Sequence, residues 1–154
     1  MLFSSFSKIQ DFLEEAYKDE HTSFVSIQTP LLSNLSILEN ISLIPAIHEG
    51  LSRKASMKKA YEALDALGLG EIASLRYDVC STKEIFYAQL IRANMLKDAK
   101  IIIEQPFIFL AEEMSIDFIL DALRRLNISF NKVQIIDLTH QETYYKESQC
   151  RIKK

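Results

Sequence analysis

Apolar residues recur along most of this chain at helical or strand periods. Between residues 5 and 18 they fall at Phe6, Ile9, Phe12, Leu13 and Ala16, a spacing of three and four that predicts a helix capped by Ser5 or Ser7. Residues 22–27 (TSFVSI) predict a short strand, which Pro30 soon ends. Residues 36–47 (SILENISLIPAI) predict a helix interrupted near Pro45, because proline lacks the amide donor and crowds the preceding turn. From 55 to 67, Met57, Ala60, Tyr61, Leu64 and Leu67 share a face, and Gly68 or Gly70 supplies the stop. Ser81-Thr82-Lys83-Glu84 has the form of a capping box, in which Ser81 and Glu84 each satisfy a backbone N–H of the other's residue. The helix it opens runs to about Leu96. Residues 100–103 predict a buried strand. Residues 115–126 predict an amphipathic helix with Ile116, Ile119, Leu120, Leu123 and Leu126 inward, and residues 133–138 (VQIIDL) a further strand.

The order is strand, mostly helical insert, strand, helix, strand. It predicts an α/β domain with a parallel sheet. The whole chain, 1–154, reads as one domain, with a core of 1–30 and 98–154 and a helical lobe at about 31–97. A length of 154 residues is enough to bury a core. The content of 48% hydrophobic and 25% charged residues is that of a soluble globular protein. A formal net charge of −3 gives no electrostatic case for nucleic acid as a partner. No apolar run approaches the roughly 18 residues of a membrane span, and the start MLFSSFSKIQDFLEE lacks the layout of a secretory signal. The two cysteines, Cys80 and Cys150, lack metal-ligand spacing and read as free cytosolic thiols. The three glycines are Gly50, Gly68 and Gly70, so no glycine loop precedes Gly50.

The stretch from Cys80 to Phe107, CSTKEIFYAQLIRANMLKDAKIIIEQPF, resembles, without a gap, the block that ABC-type ATPases carry between their signature motif and their Walker B strand. Ser81, Arg92, Ala93 and Pro106 match that block. Cys80, Thr82, Lys83 and Glu84 stand where the family has Leu, Gly, Gly and Gln, and Glu104-Gln105 stands where it has Asp-Glu. Other landmarks come in family order. Residues 23–41 resemble the Q-loop region, with Gln28 at the glutamine and Leu38-Glu39-Asn40-Ile41 similar to the "TVLENI" run. Thr139-His140 resembles the switch histidine, and the tail ESQCRIKK the "CDRI" segment.

The resemblance implies a truncated P-loop NTPase-like (ABC ATPase) parallel sheet with a helical lobe. It also implies a degenerate ATP-binding subunit of an ABC transporter. A working site wraps phosphates with the N–H groups of a glycine-rich loop and adds a lysine. Only Ser5-Phe6-Ser7-Lys8 occupies that place, and side chains there block the close approach. By resemblance Gln28, Ser81 and Glu104 are the nucleotide-binding positions, Glu104 facing Mg²⁺ through water. Gln105 takes the catalytic-glutamate position and His140 the phosphate sensor's. An amide positions a water but cannot take its proton, so Gln105 removes the general base. Each of these residues also has a structural reading: a helix cap for Ser81, strand ends for Glu104, Gln105 and His140. Mg-ATP binding is therefore expected to be weak or absent, with no separate metal site. The expected partners are a membrane permease and a second ABC ATPase subunit or a second copy of the chain. The expected place is the cytoplasmic face of the membrane. The alternatives are a scaffold or binding module that keeps the fold, a truncated gene product, and an ATPase whose phosphate loop comes from another chain.

One structural expectation follows from the missing loop. In the family the phosphate-loop strand lies beside the switch-histidine strand. Here it is absent or cut to residues 1–3, which leaves 133–138 near an exposed edge. Such edges are covered, so the N-terminal segment or a second chain is expected to cover it.

Overall fold

The computed structural model describes residues 1–113 and 115–145. The tail similar to the "CDRI" segment, with Cys150, lies outside the described residues. Four strands, β1 (Leu2–Phe3), β2 (Thr22–Val25), β3 (Lys100–Glu104) and β4 (Val133–Leu138), form one sheet in the order β1-β4-β3-β2, with every pair parallel. The register places Ile103 between Val25 and Ile135. Ile101, Ile102 and Ile103 are all buried, as expected of an inner parallel strand covered on both faces.

The N-terminal residues do cover β4. Leu2 and Phe3 pair with Asp137 and Leu138. The Met1 ammonium donates to the Ile135 carbonyl at 2.6 Å, and the Asp137 N–H donates to the Met1 carbonyl at 3.0 Å.

Helix α1 (Phe6–Ala16) lays Ile9 and Leu13 on one sheet face, against Ile102 and Ile136. The opposite face carries the larger core. There Val25, Ile101 and Ile103 meet residues of α2 (Ile37–His48), α3 (Arg53–Ala66), α4 (Thr82–Asn94) and α6 (Asp117–Arg125). The alternation of inward apolar positions read from the sequence produces this layering. Phe86 of α4 is fully buried, with edge-on ring contacts to Phe109 at 5.6 Å and Phe118 at 5.5 Å.

Several details differ from the periodicity. Helix α2 runs through Pro45 without interruption. A capping box of Ser36 and Glu39 holds its start, and Ile37, Ile41 and Pro45 are buried, so packing outweighs the lost backbone bond. Ser5 occupies the α1 cap position with extended backbone but makes no side-chain cap bond. Strand β2 stops at Val25 because the Ser26 N–H turns to the Gln89 side-chain oxygen instead of the ladder. The stop of α3 falls on Gly68 at φ +73°. Its N–H bonds Asp65 and that of Leu69 bonds Leu64, the paired bonds of a left-handed helix stop. Gly70 instead opens a 3₁₀ turn. A short helix, α5 (Pro106–Phe109), was not visible as a period.

Candidate functional site

Two parallel strands, β2 and β3, end side by side, and the chemistry of this chain collects beyond their carboxyl ends. That is where open α/β sheets bind ligands. Ser26 follows β2 and is almost completely buried. Its hydroxyl donates a short hydrogen bond to Glu104 Oε2 and accepts the Gln28 N–H at 2.9 Å, while its own N–H donates to Gln89 Oε1 at 3.1 Å. One serine thus ties the β3 terminus, the α4 helix and the Gln28 loop together. Arg92 of α4 clasps the same loop, donating to the carbonyls of Thr29 at 2.5 Å and Pro30 at 2.9 Å. Burial holds its guanidinium below the usual arginine value.

Glu104 ends β3 as a buried carboxylate. Its charge reaches Tyr17, whose phenol is lifted above its ordinary value by burial first and by Glu104 second. Gln105 comes next, at φ 42°, ψ 57°, the left-handed region, and its N–H donates to the Ile136 carbonyl at 2.8 Å. A non-glycine residue held there before a proline carries strain. The residue is 6% exposed, and Nε2 has no hydrogen-bond partner among the described residues. A buried donor left unmade costs about 1–3 kcal/mol. Ser26, Gln28, Glu104 and Gln105 line an open cleft of ≈ 150 Å³, and Phe6, Ile27 and Ile108 supply its apolar walls.

The structure therefore brings together three of the five sequence-derived positions, Gln28, Glu104 and Gln105. Ser81 stands apart, exposed at the start of α4. Its N–H donates to Glu84 Oε2 at 2.6 Å and its hydroxyl accepts the Glu84 N–H at 3.3 Å, the capping box read from the sequence. His140 is exposed in the 3₁₀ segment Thr139–Tyr145 and does not line the cleft. Lys8 is exposed on α1 and does not line it either. Among the described residues no cluster of His, Cys, Asp or Glu is placed to hold a metal ion. Ser26 and Gln89 were not singled out by sequence reasoning. A polar residue at the end of a strand and another on the apolar face of a helix were the available signals.

A second buried polar pair joins Asp137 of β4 to Tyr145 at the end of the 3₁₀ segment Thr139–Tyr145. Asp137 is 1% exposed, accepts the Tyr145 hydroxyl at 2.7 Å and the Leu138 N–H at 2.8 Å. Burial is the largest influence and lifts its carboxyl above the usual range, against the hydrogen bonds and the nearby positive charges of His140 and the N-terminus. The folded state thus holds this proton more tightly than the unfolded chain does. That contribution to stability is full below the unfolded value and is lost as pH rises through the folded one. Asp137→Asn, which keeps an oxygen for Tyr145, is expected to gain on the native protein as pH rises from about 4 to about 7. Thermal melts of the two proteins across that range check it: the difference in Tm should widen toward neutral pH and close in acid.

An all-parallel sheet with a helical insert before its third strand, and a candidate site beyond its carboxyl ends, has the P-loop NTPase-like arrangement. No family model matches the chain. It is 28% identical over 134 residues to the lipoprotein-releasing system ATP-binding protein LolD of Pseudoalteromonas translucida, covering 87% of this chain and 56% of that protein. It is 31% identical over 109 residues to LolD of Bacteroides fragilis, covering 71% and 46%. The macrolide export ATP-binding/permease protein MacB 1/2 of Paracoccus denitrificans is 30% identical over 121 residues, covering 79% of this chain and 18% of that protein. Among solved structures, a transporter assigned to the metal-chelate ABC type, in an inward-facing conformation, matches with a TM-score of 0.67 at 18% identity, over 92% of this chain and 63% of that one. The dimeric ATP-binding cassette MJ0796, bound to ADP and Pi, matches with a TM-score of 0.60 at 22% identity, over 87% and 58%. The structures show the fold, that of an ABC ATPase. The sequence relatives are ATP-binding proteins of ABC transporters, and the chain is homologous to them. It spans about half the length of the LolD proteins it matches.

Proposed function

We propose that this chain is a degenerate ATP-binding subunit of an ABC transporter, with little or no ATP hydrolysis of its own. The observation that carries the reading is Gln105. It stands at the end of β3, where the resemblance puts the catalytic glutamate, and an amide cannot accept the proton of an attacking water. Two further observations support it. The Glu104 carboxylate is engaged by Ser26, and among the described residues no lysine or arginine lines the cleft. The segment Ser5-Phe6-Ser7-Lys8 carries side chains where a phosphate needs bare backbone, and its last three residues are already the first turn of α1. These residues do not suit a triphosphate with its Mg²⁺, so no catalytic step is assigned to them.

In this reading Gln28, Ser81 and Glu104 are remnants of nucleotide-binding positions and His140 of the phosphate sensor. The core is assigned to 1–30 and the described part of 98–154, and the helical lobe to about 31–97. The lobe docks beneath a membrane permease on the cytoplasmic face, beside a competent second ATPase subunit. No helix among the described residues is long and apolar enough to cross a membrane. Gln105→Glu restores a carboxylate base but no phosphate loop. It is expected to leave ATP turnover at the background of the native chain, measured by phosphate release. A rise to the turnover of an intact ABC ATPase would mean that only the base is missing. Co-purification with a multi-spanning membrane protein tests the partner; a chain that stays entirely free of membrane proteins in its own cells contradicts it.

A further inference from the structure

Glu104 is a buried carboxylate that meets no cation of this chain's own. It enters no ion pair among the described residues, and no lysine, arginine or histidine among them lines the cleft. Side chains alternate along a strand, so Glu104 shares the sheet face of Ile102, which α1 covers with Ile9 and Leu13. Phe6 opens α1 on that side and lines the cleft together with Glu104. The Ser26 hydroxyl occupies Oε2. Oε1 has no hydrogen-bond partner among the described residues and, unlike Gln105 Nε2, is not sealed from solvent. An ionised carboxylate only accepts hydrogen bonds, so its complement is a cation that donates them. The amino end of α1 carries about half a positive charge, which offsets only part of the full negative charge on Glu104. A divalent metal ion asks for several oxygen ligands, and no cluster among the described residues supplies them. The other walls are apolar instead: Phe6 is 48% exposed, Ile27 58% and Ile108 50%. A volume of ≈ 150 Å³ suits a benzene-sized ring.

We propose that this cleft binds a small organic ammonium, a primary amine carried on an apolar or aromatic body. The ammonium donates to Glu104 Oε1, and the body lies against Phe6, Ile27 and Ile108. The inference goes beyond the transport reading and does not rest on it, although both concern one cleft.

The test is a titration of the full chain, labelled at its isoleucine methyl groups, with benzylamine, benzyl alcohol, benzoate, Mg²⁺ and Mg-ATP, followed by NMR. It is run in an amine-free buffer at about pH 7, where a primary amine is charged. The Ile27 and Ile108 signals are assigned by their loss from Ile27→Val and Ile108→Val. Benzylamine is expected to shift both saturably, about tenfold more tightly than benzyl alcohol, a difference of about 1.4 kcal/mol. Benzoate should leave them in place. Glu104→Gln, which keeps an oxygen for the Ser26 hydroxyl, should abolish the preference of amine over alcohol. The comparison of amine, alcohol and acid on the native chain reads the charge by itself, so the test stands even if that variant folds poorly. Unmoved methyl signals with benzylamine, or alcohol or benzoate binding as tightly, overturn the inference and leave the transport reading intact. Mg²⁺ alone moving the same signals and displacing benzylamine assigns the carboxylate to a metal and overturns it too. Mg-ATP saturation accompanied by turnover overturns the transport reading instead.

Discussion

Phe86→Ala is expected to lower the unfolding free energy by about 3–5 kcal/mol, the range for removing a fully buried aromatic ring. Phe86 is fully buried and joins α4 to α5 and α6 through Phe109 and Phe118, with Tyr87 beside it at 6.0 Å. Truncation forfeits the transfer free energy of the ring and opens a cavity that three surrounding rings cannot collapse into without leaving their own contacts. The total stability of a domain is about 5–15 kcal/mol, so the variant should unfold at far lower urea. Phe86→Leu, which keeps most of the volume, should lose much less. Urea denaturation of the three proteins measures both differences, and equal losses for Ala and Leu would show that the site relaxes freely.

Ser26→Ala is expected to cost about 2–3 kcal/mol, because it removes the hydroxyl donated to a buried carboxylate and leaves Glu104 short of a partner. Two bonds go at once, since the same oxygen accepts the Gln28 N–H. The cost should fall well below that value when the exchange is made in a Glu104→Gln background, where no charge is left stranded. A double-mutant cycle separates the terms. A cycle with no coupling would mean that the Ser26–Glu104 bond contributes nothing and that the cleft is held by Arg92 and Gln89 alone.

Much of this architecture was legible because its causes are local. The run Ile101-Ile102-Ile103 is apolar on both faces, which only an inner strand accommodates. Ser81 and Glu84 satisfy each other within one turn, so the α4 start needs nothing distant. The covering of β4 by the N-terminal residues followed from the unpaired edge that a missing loop strand would leave. What was not legible depends on distant partners. Pro45 argued for a break in α2, and the burial of Ile37 and Ile41 against other elements overrode it. Of the candidate site, Gln28, Glu104 and Gln105 were placed together by the structure, and Ser81 and His140 were not. The resemblance supplied positions along the chain but not what each side chain meets. That Ser26 engages Glu104 across 78 residues, that Gln89 turns inward to Ser26, and that Tyr145 secures Asp137 are contacts no period reveals.

The central claim is an ABC fold that has kept its strand ends and lost its catalysis. Its most direct test is Mg-ATP binding and hydrolysis by the purified native chain, by titration calorimetry and phosphate release under the same conditions as an intact ABC ATPase. The account predicts weak or undetectable binding and phosphate release at background. Tight Mg-ATP binding with turnover comparable to the intact enzyme would contradict it.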